Sequence, residues 1–205
     1  MRLLFVRHAP TAWNREGRYQ GRTDTPIGET GLREARRIAE TLRGVAVDLV
    51  VTSPLRRALE TAEVIAAALG GVRRLVDGRL VEISFGDWEG FTQEEIRARW
   101  PTALRAWKRT PQAARFPGGE SLHDLERRLR DFLRTPPWRG EGCVRNVVAV
   151  SHAGPIRLAR LLAERRSLAE FREVPVVGGI AQEFRWSASE GLAPNLPAAS
   201  PQDLP

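Results

Sequence analysis

Residues 1–14 read MRLLFVRHAPTAWN, and the run Leu3–Val6 within them decides the fold class. Four successive apolar residues between two arginines match a short strand buried on both faces. Leu49–Val51 and Asn146–Val150 repeat that pattern further along the chain. Amphipathic helical stretches lie between these runs. The alternation predicts an α/β domain of three layers, a mostly parallel central sheet flanked by helices. Glu183–Trp186 alternates in polarity and reads as a shorter strand, a candidate for the edge.

The helices carry clear punctuation. Leu32, Ala35, Ile38, Ala39 and Leu42 share one helical face. Ser53 is a suitable N-cap, and Pro54 suits the first helical position because its missing N–H is not needed there. From there Ala58, Thr61, Ala62, Ile65, Ala66 and Leu69 form a second stripe, stopped by Gly70-Gly71. Thr92 with Glu95 makes a capping box, and Pro101 closes that helix after Trp100. Ser121 with Asp124 opens another helix, which turns Leu122, Leu125, Leu129 and Phe132 inward. Gly154-Pro155 opens one more, through Ile156, Ala159 and Leu162.

The chain has 205 residues, 42% of them hydrophobic and 28% charged. That composition fits one globular domain, which buries about 70% of its unfolded surface and needs no staples. No run approaches the roughly 18 apolar residues of a membrane span. The four apolar residues after Arg2 fall short of the about 7–15 of a secretory leader, so a cytoplasmic protein is expected. Cys143 is the single cysteine. It can form no internal disulfide and is expected as a small buried hydrophobe. The net charge is +7, and Lys108 is the only lysine among 32 basic residues. Arginine is spread along the whole chain, which argues against a dedicated nucleic-acid arm and suits a small acidic ligand.

We divide the chain into one domain over 1–186 and an extended tail over 187–205. Within the domain, 85–120 reads as an insertion able to form a lid. It holds Trp88, Trp100, Trp107 and Phe116, with prolines at 101, 111 and 117. The plainer reading makes these aromatics a satellite core. Trp88 and Trp107 beside Arg97, Arg99, Arg105 and Lys108 are the only local candidates for a nucleic-acid surface.

Only three histidines are present. His8 follows the first strand and His152 follows the strand Asn146–Val150. The ends of parallel strands border the ligand crevice of an open α/β sheet, so two histidines placed there can face one another. His123 lies inside the helix opened by Ser121 and reads as a surface residue. Arg7 ends a buried strand, and Arg56 and Arg57 fall in the first turn of a helix, where anions bind readily.

Six blocks follow in order: RHAPTAWN at 7–14, YQGRTDTPIGETG at 19–31, TSPLRRALETAE at 52–63, LVEISFGDWEG at 80–90, PGGES at 117–121 and SHAGPIR at 151–157. Together they resemble the histidine phosphatase superfamily, which also holds the cofactor-dependent phosphoglycerate mutases. The resemblance covers nearly everything but the tail. It implies a mixed, mostly parallel sheet and a phosphohistidine intermediate. By the same resemblance His8 takes the place of the nucleophile, Arg7 and Arg57 hold phosphoryl oxygens, Glu82 is the proton donor and His152 is the second histidine. Asn14, Gln20 and Gly21, with the backbone N–H of Ala153, fall where the family touches phosphate. Arg56 is left on the surface. The chain departs from the family at Ala9 and Ala153, where glycine is usual, and at Pro10.

This chemistry has a physical logic. A phosphate monoester is an anion that repels nucleophiles, so guanidinium groups must neutralise its oxygens as charge shifts in the transition state. His8 must be neutral to attack, and the leaving alkoxide needs a proton, which Glu82 would supply. No HExxH or aspartate cluster offers a metal site, so no metal or other cofactor is expected. The FGDWEG and PGGES blocks resemble the phosphatase branch, in particular α-ribazole phosphatases and their broad-specificity relatives. We therefore expect hydrolysis of a small phosphorylated metabolite. A phosphoglycerate mutase and a non-catalytic phospho-ligand module are the alternatives. Neither nucleic acid nor a membrane is expected as a partner, and a homodimer is left open.

Overall fold

The structure, a computed structural model, describes residues 1–139 and 144–195. The first strand, β1 (Arg2–Arg7), is buried over Leu3–Val6, as a doubly covered strand must be. A short helix α1 (Ala12–Arg15) follows, then α2 (Gly28–Leu42), β2 (Leu49–Thr52) and α3 (Arg56–Ala68). A short strand β3 (Arg74–Val76) leads to α4 (Gln93–Arg99), α5 (Pro101–Arg109) and α6 (Leu122–Arg134). The chain ends in β4 (Asn146–Ser151), α7 (Ala153–Ala163), β5 (Gln182–Ser187) and β6 (Gly191–Pro194).

The six strands lie in the order β3-β2-β4-β1-β5-β6. The first four run parallel, whereas β5 is antiparallel to β1 and β6 to β5. Alternate residues of the central strands feed two cores, as the two-residue period of a strand requires. Leu3, Phe5, Leu49, Val51, Val147 and Ala149 pack with Leu125, Leu129 and Phe132 of α6 and Ile156 and Ala159 of α7. On the other face Leu4, Val6, Val50, Val148 and Val150 meet Ile38, Ala39 and Leu42 of α2 and Ala58, Ala62 and Ile65 of α3. The three-layer α/β expectation holds.

The capping boxes at Thr92–Glu95 and Ser121–Asp124 both form, each hydroxyl accepting the amide three residues on. Several details differ from the sequence reading. Leu32 is 38% exposed; Gly31 and Ala35 carry the buried stripe of α2 at that level. Helix α3 begins at Arg56 with no side-chain cap, because its N-cap position falls on Leu55, two residues beyond Ser53. The strand at 183–186 is not the edge: β6 lies outside it, so the supposed tail begins as the second arm of a hairpin. Cys143 and residues 196–205 lie outside the described residues.

Trp88 and Phe116 of the 85–120 segment are buried in the same core as β1, so these two rings extend the main core and do not form a separate satellite. Trp107 is buried as well. Neither Trp88 nor Trp107 offers the exposed face that stacking on nucleic acid would need.

Candidate active site

Parallel pairing of β1 with β4 sets Arg7 opposite Ser151. His8 and His152 therefore leave the sheet at one level, from adjacent strands. Their ring centroids are 5.0 Å apart, and the rings are tilted by 53°. His8 is 6% exposed and His152 fully buried. The His8 Nδ1–H donates to the Ala9 carbonyl at 2.8 Å. A carbonyl can only accept, so the neutral ring keeps its lone pair on Nε2. The His152 Nε2 is hydrogen-bonded to the Ser53 hydroxyl at 2.8 Å, and that oxygen also accepts the Leu55 amide at 3.3 Å. Burial, then the charges of Arg57 and Arg7, push His8 well below the ordinary histidine range. Burial, then the His8 ring and Arg57, do the same to His152. In both cases the surroundings favour the neutral ring.

The two expected arginines arrive from different elements. Arg57, fully buried in the first turn of α3, donates through its two Nη groups to Thr23 O at 2.8 Å and Gly21 O at 2.7 Å. It thereby ties the 20–23 loop to α3. Arg7, at the end of β1, is paired with no protein acceptor among the described residues and lines the cavity. Arg56 stays on the surface, with Glu60 at 2.7 Å.

Glu82 enters from a turn held on two sides. Ser151 Oγ donates to Leu80 O at 2.7 Å, and Arg128 donates to Arg79 O at 2.7 Å and Val81 O at 2.8 Å. The Glu82 carboxylate accepts the Ile83 amide at 2.8 Å and the Gly154 amide at 3.0 Å. A side chain at Gly154 would occupy the space of that carboxylate. At Ala153, where the family favours glycine, and likewise at Ala9, the backbone avoids positive φ, so a methyl introduces no strain.

The remaining expected residues complete the wall. Asn14 Oδ1 accepts the Thr11 amide at 3.0 Å, within a capping box that fixes α1. Gln20 Oε1 accepts the hydroxyls of Thr11 at 3.0 Å and Thr25 at 2.8 Å, which leaves its amide NH₂ for a ligand. Gly21 has φ of 53° and sits against the Glu89 carboxylate, a conformation and a space that both require glycine. Arg7, His8, Asn14, Gln20, Gly21, Arg57, Glu82 and Ala153 line one cavity of 380 Å³, with His152 behind His8. A larger groove of 810 Å³ borders Arg2, Glu183 and Trp186 at the β5–β6 end and contains none of these groups.

The same cavity includes Tyr19, Phe85, Arg157, Phe171 and Arg172, none of them expected as site residues from sequence, and Trp107, which was read only as part of the 85–120 segment. Ser53 was read as a helix cap. Its place immediately after β2, like the two histidines after their strands, was the signal that could have found it. His123 is exposed, 3.6 Å from Glu126, as expected of a surface residue. Among the described residues no three His, Cys, Asp or Glu side chains cluster as a metal site would need.

An imidazole whose Nε2 has no protein partner, two guanidiniums and a carboxylate surround one cavity of this α/β fold, a set of groups suited to phosphoryl transfer. The model of the histidine phosphatase superfamily (branch 1) matches residues 3–190. The chain belongs to that family and is a phosphatase. It is 36% identical over 160 residues to phosphoserine phosphatase 1 of Hydrogenobacter thermophilus, covering 77% of this chain and 73% of that one. It is 35% identical over 196 residues to the glucosyl-3-phosphoglycerate phosphatase of Mycobacterium tuberculosis, covering 93% of this chain and 85% of that one. The solved structure of the α-ribazole phosphatase from Shigella flexneri superposes with a TM-score of 0.82 at 25% identity, covering 94% of both chains.

Proposed function

We propose that the protein hydrolyses phosphomonoesters of small metabolites in two steps, with His8 as the phosphoryl acceptor. The observation that carries this reading is the His8 Nδ1–H bond to Ala9 O, which leaves Nε2 unprotonated in a ring kept neutral by its surroundings. In the first step Nε2 attacks phosphorus as the ester P–O bond breaks, and the Glu82 carboxyl passes its proton to the leaving oxygen. In the second, the Glu82 carboxylate takes a proton from water as the water oxygen attacks phosphorus and the P–N bond breaks. Arg7, Arg57, the Gln20 amide, the Asn14 side chain and the Ala153 N–H hold the equatorial oxygens. Removing one such donor costs about 2.7–4 kcal/mol of barrier. His152, held by Ser53, supports the transferred group by hydrogen bonding. No step requires a metal ion.

Hydrolysis is favoured over mutase chemistry because the relatives compared above are phosphatases by name. Phosphoserine, glucosyl-3-phosphoglycerate and α-ribazole phosphate are the substrates their names suggest for trial. No helix among the described residues is long and apolar enough to cross a membrane. Together with the single cysteine, this supports a cytoplasmic location. A panel of these esters with 3-phosphoglycerate, scored for free phosphate against isomerised product, tests the reading. Isomerisation without phosphate release would replace it with the mutase.

A further inference from the structure

The cavity carries more positive charge than one phosphoryl group needs. Arg7, Arg18, Arg57, Arg157 and Arg172 line it, against the single carboxylate of Glu82. Arg18 is neutralised by Glu16 at 2.7 Å and Glu95 at 3.3 Å. Arg7 and Arg57 flank His8 and are taken up by the phosphoryl group. Arg157 and Arg172 remain, and neither forms an ion pair with any carboxylate among the described residues.

Both are nevertheless held in place. Arg157, from α7, donates through Nε to Val174 O at 2.9 Å, and its guanidinium lies 5.9 Å from the Phe171 ring centroid. That leaves both of its Nη groups without a protein acceptor. Arg172 donates through Nη1 to Lys108 O at 3.1 Å, at the last turn of α5. Tyr19 lines the same cavity as Arg157 and Arg172. No protein atom is hydrogen-bonded to its hydroxyl among the described residues. Phe85, Trp107 and Phe171 supply apolar walls. Donors fixed through one nitrogen and open at the others form a prepared anion site, since guanidinium pairs with oxyanions in a fork.

We infer that Arg157, Arg172 and the Tyr19 hydroxyl form a second anion subsite, which selects phosphomonoesters carrying a carboxylate or a further phosphate. The inference rests on the reading that the scissile phosphoryl group sits at Arg7 and Arg57. The chemistry shared by the two ligand classes is an oxyanion separated from the scissile phosphate by a short carbon frame. An ester with only hydroxyls at that end leaves the two guanidiniums without an anionic partner, and so binds worse.

The test compares 3-phosphoglycerate with glycerol 3-phosphate, which differ only in a carboxylate against a hydroxymethyl group. A parallel pair, fructose 1,6-bisphosphate against fructose 6-phosphate, distinguishes a second phosphate from a carboxylate. One charged hydrogen-bonded contact predicts a kcat/KM ratio of about tenfold or more within the preferred pair. Arg157→Met and Arg172→Met should each collapse that ratio to within about threefold. Arg172 is exposed and has one backbone tether, so its variant remains informative if Arg157→Met fails to fold. Calorimetric Kd values for both pairs on the His8→Ala protein provide the same comparison without turnover. Ratios near one in both pairs, by kinetics and by binding, overturn the inference. So do ratios that survive both substitutions. A binding preference lost in the arginine variants, with no hydrolysis by the wild-type protein, would leave the subsite standing and refute the hydrolytic reading.

Discussion

The carboxylate of Glu82 rests on the first turn of α7, taking the amide of Gly154 at 3.0 Å on one oxygen and 3.2 Å on the other. The contact is possible because residue 154 has no side chain, as a Cβ there would overlap Oε1. The carboxylate proposed as proton donor is thus aimed by a helix N-terminus, at a position sequence alone reads as a helix start.

Replacing Gly154 with alanine should push that carboxylate aside while improving the intrinsic helix propensity of α7. Misplacement on this scale costs about 10²-fold in rate. We expect such a fall in kcat/KM for alkyl phosphates, with thermal unfolding moved far less than activity. An alanine variant with wild-type turnover would show that the carboxylate position is not critical.

Glu82→Gln removes the proton without removing the amide contacts. Alkyl phosphates, whose leaving alkoxides need protonation, should slow by about 10²–10⁴-fold. Esters with good leaving groups, such as p-nitrophenyl phosphate, should slow much less in the formation of the phosphoenzyme. Equal losses on both would remove Glu82 from the role of acid.

Brief incubation with ³²P-labelled p-nitrophenyl phosphate followed by quenching should trap label that is acid-labile and base-stable, as a phosphoramidate is. Peptide mapping should find it on His8. Label retained in the His8→Ala protein would transfer the assignment to another group.

The depressed pKa of His8 has consequences of defined sign. Nucleophilic His8 must be neutral, so the acid limb of kcat/KM, which reports the free enzyme, should lie below the ordinary value of about 6.5. In the unfolded chain His8 and His152 regain that ordinary value and bind protons that the folded protein refuses. Stability is therefore fully present above about pH 6.5 and declines as pH falls below it, down to the folded-state values. His152→Gln should flatten that decline in a pH series of urea unfolding. A steeper decline in the variant would contradict the buried, neutral ring.

Extended dialysis against EDTA should leave hydrolysis of p-nitrophenyl phosphate unchanged. Loss of turnover restored by a divalent ion would contradict a mechanism built on guanidiniums, imidazoles and one carboxyl.

Much of this protein was legible in one dimension. Leu3–Val6, Leu49–Val51 and Asn146–Val150 announce central strands because burial on both faces demands unbroken apolar runs. Thr92–Glu95 and Ser121–Asp124 announce helix starts because capping is satisfied within four residues. Arg7, His8, Arg57, Glu82 and His152 could be nominated from their blocks, and the family resemblance named roles for them. Strand β3 escaped notice because at the sheet margin Arg74 and Val76 are exposed, so no apolar pattern is required there. Ser53 was misassigned because a serine before proline looks the same whether its hydroxyl caps a helix or meets an imidazole. That partner arrives only because β4 is inserted between β2 and β1. Arg157 and Arg172 likewise resemble any other arginine in a chain rich in them until folding brings them into one cavity with no ion-pair partner among the described residues. Local burial and capping leave their mark on neighbouring residues, whereas the convergence of distant charges depends on strand order and chain crossing, which no short-range pattern records.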